Sequence, residues 1–271
     1  MREDVAQGAE PRSPRGAATL PRLVAFDLDD TLAPSKSPLT PRMTSILVRL
    51  LDVCEVCVIS GGSYEQFRRQ LLARLPEGPD LRRLHLMPTC GTRYLRWVGG
   101  TWTLQYAEDL SDEEKRAAVD AIEEEARRLG LWEPDTRGPA IEDRGSQITF
   151  SALGQDAPID AKAAWDPGGE KKALLRSAIQ GRLPGLEVRS GGSTSIDVTR
   201  VGVDKAYGMA HLAELTGIGY ADMLFVGDRL DPDGNDYPVR RLGVPTRAVH
   251  GWEETAAVVE DLLAQAVTDV A

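Results

Sequence analysis

From Arg22 onward, hydrophobic positions fall into short unbroken runs separated by stretches in which apolar residues recur every three or four positions. The runs Leu23-Val-Ala-Phe26, Val53 to Ile59, Leu84 to Met87 and Met223-Leu-Phe-Val226 predict strands buried on both faces. The stretches Pro41 to Leu51, Ser63 to Leu75, Lys205 to Leu215 and the segment from Glu253 predict helices. Strand alternating with helix is the pattern of a parallel sheet, with the short run Thr246 to Val249 as one more strand.

Between Cys90 and Thr199 the texture changes. Tyr94-Leu-Arg-Trp97, the turn Gly99-Gly100 and Thr101 to Tyr106 predict a hairpin. A helix follows from Ser111 to Leu129, with Ser111 and Glu114 spaced as a capping box. Gln147 to Ser151, a helix from Gly169 to Gln180 and paired short strands from Leu186 to Thr199 complete an antiparallel sheet with two helices, inserted into the parallel unit. The expected organisation is a Rossmann-like core over residues 21–89 and 200–271 and an α/β cap over 90–199. Residues 1–20, rich in Gly, Pro and charge without periodicity, are expected to form a disordered arm.

Composition narrows the function. With 42% hydrophobic and 27% charged residues over 271 positions, the chain reads as a soluble globular protein. It has no apolar run of the roughly 20 residues needed to span a bilayer and no secretory signal, so a cytosolic location and no membrane partner are expected. A net charge of −10 argues against a nucleic-acid partner, which would require a basic surface. Cys54, Cys57 and Cys90 are too few for a disulfide framework, and Cys54-x-x-Cys57 lies in a strand run that cannot direct both thiols to one metal. Buried free thiols are expected.

The candidate chemistry sits where strands end, the edge at which open α/β sheets hold their ligands. Asp27 and Asp29 follow the first strand and, two apart, face the same way. One carboxylate can attack phosphorus, while the other, with a raised pKa, protonates the leaving oxygen. Gly227-Asp228 and Asn235-Asp236 follow another strand, and with Asp27 and Asp29 they offer the hard oxygen ligands that suit Mg²⁺. Thr31, Ser60 and Gly61 offer hydroxyl and amide donors to phosphate oxygens, and Lys205 supplies a cation.

These motifs resemble those of the haloacid dehalogenase (HAD) superfamily, in Asp27-x-Asp29-x-Thr31, Ser60, Lys205, Gly227-Asp228 and Asn235-Asp236. The inserted segment looks like the cap of the subgroup that includes Cof-type sugar phosphatases, sucrose phosphatase and eukaryotic-type phosphomannomutases. The last of these is the most similar, through Ile141-Glu-Asp-Arg144, Ser151-Ala-Leu-Gly154 and Gly191 to Val198 running into Lys205. The resemblance implies a mobile cap hinged near Pro88 to Gly91 and Thr199 to Asp204. It implies Mg²⁺-dependent interconversion of hexose 6- and 1-phosphates through an aspartyl-phosphate on Asp27, with a hexose 1,6-bisphosphate activator. Arg144 would hold the substrate's distal phosphate, and Ser195 and Asp197 its sugar hydroxyls. Lys36, Gln155 and Lys162 stand where that family carries arginines, which weakens the distal phosphate site, and Asp30 replaces a glycine. The competing readings are a sugar-phosphate phosphatase with the same site, a non-catalytic phosphosugar-binding protein, and a receiver-like module. Trp97 and Trp102 suggest a homodimer through the cap.

Overall fold

The computed structural model describes residues 20–268, so the arm expected over residues 1–20 lies outside the described residues but for Leu20. The chain runs β1 (Leu23–Phe26), α1 (Pro41–Leu51), β2 (Glu55–Ile59), α2 (Tyr64–Gln70), β3 (Leu84–Met87), β4 (Arg93–Val98), β5 (Thr101–Ala107) and α3 (Asp112–Arg128). It continues through β6 (Ile141–Asp143), β7 (Ile148–Ser151), α4 (Ile159–Trp165), α5 (Glu170–Arg182), β8 (Leu186–Ser190) and β9 (Ser195–Arg200). It closes with α6 (Lys205–Thr216), β10 (Met223–Gly227), α7 (Tyr237–Arg241), β11 (Thr246–Ala248) and α8 (Trp252–Thr268). The strands form a seven-stranded sheet, ordered β11-β10-β1-β2-β3-β4-β5, and a four-stranded sheet, ordered β6-β7-β9-β8.

In the larger sheet the first five strands are parallel. Their alternation decides which face each residue serves: Val24, Phe26, Val56 and Val58 pack with α1 and α8, whereas Leu23, Ala25, Cys57 and Ile59 pack with α6 and α7. Cys54 and Cys57 fall into these two different clusters and are free, as expected. Burial pushes the Cys54 thiol up to about 12. Helix α1 starts where Thr40 accepts the Met43 amide at 3.2 Å and Pro41 occupies the first turn. The capping box of Ser111 and Glu114 forms as expected.

Three expectations are corrected. The hairpin β4–β5 joins the larger sheet, antiparallel to β3, rather than the inserted sheet. Without β4, the outer edge of β3 would leave its backbone groups unpaired, and Tyr94 and Leu95 of β4 are buried in the core clusters. Trp97 and Trp102 therefore meet edge-to-face, 5.5 Å apart, on the outer hairpin of the core sheet rather than on the cap. The inserted unit carries a third helix, α4, which the break at Pro158 and the small residues Ala161, Ala163 and Ala164 hid from periodicity. Finally, the helix expected over Ser63 to Leu75 ends at Gln70 and tightens into a 3₁₀ turn over Leu72–Arg74.

The four-stranded sheet has one apolar face, where Ile148, Phe150, Ile196 and Val198 pack against Ala118 and Ile122 of α3 and Leu175 and Ile179 of α5. Its other face carries Thr149, Ser151, Ser195 and Asp197. The connection from β3 to β4, within the larger sheet, is tight: Thr89, Cys90 and Gly91 all have positive φ, at 49°, 57° and 86°. A β-branched residue in that region is strained by about 1–3 kcal/mol and persists only where its surroundings dictate it. Here the amides of Thr89 and Cys90 donate to the carbonyls of Gly62 and Ser60, and the Thr89 hydroxyl accepts from Ser146 of the inserted unit at 3.0 Å.

Helix α6 presses against this bend at Gly208. A methyl there would lie 2.6 Å from the Cys90 carbonyl oxygen and 2.5 Å from Ile59 Cδ1. Gly to Ala inside a helix ordinarily stabilises by up to about 1 kcal/mol. Gly208→Ala should instead destabilise by about 1–3 kcal/mol through overpacking. Chemical denaturation checks this, and an unchanged or raised midpoint would contradict the close approach.

Candidate active site

Asp27 directly follows β1 and is 5% exposed. Asp228 follows β10, and Asp236 precedes α7 with no exposure. Oxygens of these three carboxylates all lie within 4.8 Å of one another. Lys205, the first residue of α6 and 1% exposed, places Nζ 2.6 Å from Asp27 Oδ1 and 2.5 Å from Asp236 Oδ1. Asp204 aims it by capping α6, accepting the Tyr207 amide at 3.0 Å. The loop after β10 is shaped around Asp236, whose second oxygen accepts the Arg229 amide at 3.1 Å. A side chain at Gly227 would collide with that carboxylate.

The charges do not balance: three carboxylates share one ammonium. Burial pushes the Asp27 pKa well up and the Asp236 and Asp228 charges add to this, against Lys205. Asp228 is raised for the same reasons, burial and then Asp236. Burial disfavours the Lys205 charge, but Asp236 and Asp27 outweigh it, so the lysine stays protonated. A buried, oxygen-only cluster with excess negative charge fits a hard divalent cation such as Mg²⁺. Of the five residues expected to ligate, the structure brings together Asp27, Asp228 and Asp236. Asn235 is exposed, and the Asp29 carboxylate faces elsewhere.

Asp29 differs most from expectation. Its carboxylate accepts from the Lys36 amide at 2.8 Å, Gln66 Nε2 at 2.8 Å and Gln70 Nε2 at 3.1 Å, with Lys36 Nζ 3.7 Å away. Burial favours a raised pKa, but the Lys36 charge and these three donors hold it below the usual carboxylate range. The expectation of a raised pKa is thus corrected, because neighbouring donors rather than neighbouring acids surround the group. No motif in the sequence marks Gln66 and Gln70. Both are buried on α2, and Gln66 also accepts Lys36 Nζ at 2.7 Å. The available signal was two glutamines four apart, on one face of a predicted helix. Asp30 adopts φ 58°, the backbone angle its replaced glycine would suit, and so does Lys36.

The phosphate-binding candidates converge on the same edge. Thr31 donates to Asp228 at 3.3 Å. Ser60 follows β2, is 5% exposed and accepts the Gly62 amide at 3.1 Å. Gly61 offers its carbonyl to Arg144 of the inserted unit at 2.8 Å, joining this edge of the larger sheet to the inserted unit. Arg144 also donates from Nε and Nη2 to one oxygen of Glu142, at 2.9 and 2.7 Å, a pairing no motif in the sequence marks.

The polar face of the smaller sheet lies near these groups, with Asp197 within reach of the Arg144 and Lys36 charges. Asp197 accepts from Thr149 at 2.7 Å, and burial raises its pKa against the opposing charge of Arg144. Ser195 stands two residues before it on β9. Lys162 donates to the Gln155 carbonyl at 2.7 Å, while Gln155 Nε2 is buried without a partner. Burial lowers the Lys162 pKa, and so does its proximity to Lys36, which brings these cap and core lysines into one neighbourhood.

A model of the eukaryotic phosphomannomutase family matches residues 95–265. The phosphomannomutase of Schizosaccharomyces pombe is 26% identical over 222 residues, covering 80% of this chain and 84% of that protein. That of Saccharomyces cerevisiae is 24% identical over 249 residues, covering 89% and 93%. Among solved structures, an IMP-bound, N-terminally truncated IMP-nucleotidase of Plasmodium falciparum superposes with a TM-score of 0.63 at 17% identity, covering 89% of this chain and 68% of that one. A trehalose-6-phosphate phosphatase related protein superposes at 0.57 and 17% identity, covering 91% and 99%. At these identities the superpositions establish the fold, a Rossmann-like core with an α/β cap. With the family match over 171 of 271 residues, the chain belongs to the eukaryotic phosphomannomutase family, within the HAD phosphotransferases and phosphatases.

Proposed function

We propose that this enzyme interconverts hexose 6-phosphate and hexose 1-phosphate in the cytosol, through an aspartyl-phosphate on Asp27, with a core of residues 21–89 and 200–271 joined by the hairpin β4–β5, and the rest of the inserted segment, from α3 to β9, closing on the substrate as a cap. The observation that carries this reading is the buried Asp27 carboxylate at a strand end, paired with Lys205 at 2.6 Å and set among two further acids. Asp27 attacks phosphorus and the ester oxygen departs. Asp29 protonates that oxygen and later removes a proton from the incoming hydroxyl. To protonate the leaving oxygen it must first leave the Gln66, Gln70 and Lys36 donors that hold it ionised and take up a proton from solvent, a rearrangement suited to substrate arrival; the proton it later removes from the incoming hydroxyl restores that acid. Ser60, Thr31 and the Gly61 segment bind the transferring phosphoryl oxygens, and Lys205 balances their charge. Asp27, Asp228 and Asp236 would hold Mg²⁺, which supplies neutralisation of phosphoryl charge when bound. Arg144, Lys36, Gln155 and Lys162 receive the distal phosphate, Ser195 and Asp197 the sugar hydroxyls, and a hexose 1,6-bisphosphate primes the enzyme.

One observation favours hydrolysis as a second reading. A mutase must hold a bisphosphorylated intermediate at both ends, and this chain offers Lys36, Lys162 and an uncharged Gln155 for that purpose. Lysine grips phosphate at a point rather than through a fork. Incubation of the enzyme with mannose 1-phosphate and Mg²⁺, with and without a hexose 1,6-bisphosphate, separates the readings. The expected product is mannose 6-phosphate, formed faster with the bisphosphate. Free phosphate without isomerised sugar phosphate would overturn the mutase reading.

A further inference from the structure

At the opposite end of the larger sheet, where the parallel strands begin, lies a cavity of about 490 Å³. It is lined by Arg22, Glu55, Arg83, His85 and Arg96, with Val53, Cys54, Leu215, Thr216 and Ile218 completing the wall. Arg22 precedes β1, Glu55 opens β2, and Arg96 of β4 pairs with His85 of β3. The acids of the candidate active site follow the far ends of the strands. At about 3.3 Å per residue, Arg22 and Asp27 are roughly 16 Å apart. The cavity is therefore separate from the site already described.

Its polar groups are unevenly satisfied. Glu55, the one acid in the lining, accepts from His85 Nε2 at 3.0 Å and pairs with none of the arginines. His85 Nδ1 in turn lies 2.8 Å from the Tyr94 hydroxyl and 3.1 Å from Arg96 Nη1, an arrangement that suits a neutral ring. Arg96 also donates to the Arg82 carbonyl. Arg83 uses only Nη1, on the carbonyls of Leu51 and Asp52 at 3.2 and 3.0 Å. Arg22 has a loose 4.0 Å pair with Asp222. Three guanidinium groups thus face one carboxylate, in a chain whose net charge is −10. Beside them, Val53 and Leu215 are 40% and 50% exposed, two of seven large apolar side chains so placed among the described residues.

We propose that this cavity binds a small phosphorylated effector carrying an apolar ring, its phosphate on Arg22 and Arg83 and its ring on Val53 and Leu215. The volume falls in the range of small-molecule sites, and forked guanidinium donors match phosphate oxygens. The ligand is not a substrate of phosphoryl transfer: the lining's one carboxylate, Glu55, is engaged by His85, and burial pushes the Cys54 thiol up to about 12.

Calorimetric titration of the full chain without Mg²⁺ tests this, using phenylphosphonate and inorganic phosphate as probes. Phenylphosphonate should bind at least about tenfold more tightly than phosphate, which lacks the ring contacts. Arg22→Glu, at a position exposed enough to spare the fold, should weaken phenylphosphonate binding by about tenfold or more. Arg83→Gln should do the same, with an unchanged circular dichroism spectrum. The active site, at the other strand ends, would not register Arg22→Glu. Unchanged binding in Arg22→Glu overturns the site, and phosphate binding as tightly as phenylphosphonate overturns the ring-bearing ligand.

Discussion

Asp27→Asn should lower kcat/KM for hexose 1-phosphate by roughly 10⁴-fold or more, the scale seen when a covalent nucleophile is removed. The protein itself should not suffer. Asp27 is one of three clustered acids, and burial already pushes its pKa well up, followed by the charges of Asp236 and Asp228. A neutral isostere removes that repulsion while Lys205 keeps Asp236 at 2.5 Å. Its Tm, read by calorimetry, should match or exceed that of the parent, and substrate binding should persist. Residual activity above about 1% of the parent would remove Asp27 from the nucleophile's place, because no such remnant survives loss of a covalent step.

Lys205→Met has the opposite signature. It replaces a buried ammonium by an apolar chain of similar length and leaves Asp27 and Asp236 without their shared counter-charge. Removing one partner of a buried ion pair costs about 3–5 kcal/mol, because the remaining charge stays desolvated. Activity should fall as well, since the phosphoryl oxygens lose their balancing cation. The deficit should depend on pH. A carboxyl whose folded pKa is raised destabilises the fold when ionised, and that cost is relieved as pH falls through the raised value. The stability gap between Lys205→Met and the parent should therefore narrow as pH falls from neutral into the acid range, measured by urea denaturation without metal. A gap under about 1 kcal/mol at neutral pH, or one indifferent to pH, would show that Lys205 does not hold the cluster together.

Much of this site was legible because strand ends are legible. The runs Leu23 to Phe26 and Met223 to Val226 are unbroken and apolar, so the acids that follow them had to emerge at the sheet's edge, where the structure places Asp27 and Asp228. Lys205 was readable as the start of a helix, though not its complete burial, which depends on two acids distant in sequence. What escaped was set by tertiary pairing. The hairpin β4–β5 reads as a hairpin in isolation, but nothing local says whether it will add to β3 or to the inserted sheet. The partners of Asp29 escaped for a related reason: a glutamine on a helix reads as a solvated polar residue until a carboxylate is found opposite it, as with Gln66 and Gln70. The same holds for Arg144, whose two hydrogen bonds to one Glu142 oxygen arise from residues two apart at the end of β6.

The Asp29 arrangement bears directly on the chemistry. Held by three hydrogen-bond donors from Lys36, Gln66 and Gln70 and by the Lys36 charge at 3.7 Å, it is an ionised group waiting to be released rather than an acid ready to donate. Lys36 comes from the loop after β1 and lies near Lys162 of the cap, so a phosphate arriving between the lysines would compete with Asp29 for the Lys36 charge. Binding of the distal phosphate and freeing of the acid would thereby be one event.

Rapid acid quench of the enzyme with a hexose 1,6-bisphosphate and Mg²⁺, followed by peptide mass spectrometry, reads out which residue carries the phosphoryl group. One added phosphoryl mass on the peptide containing Asp27, absent from Asp27→Asn, is the predicted result. A phosphoryl group found on Ser60 or any other residue, or none in the steady state of an active enzyme, would contradict it.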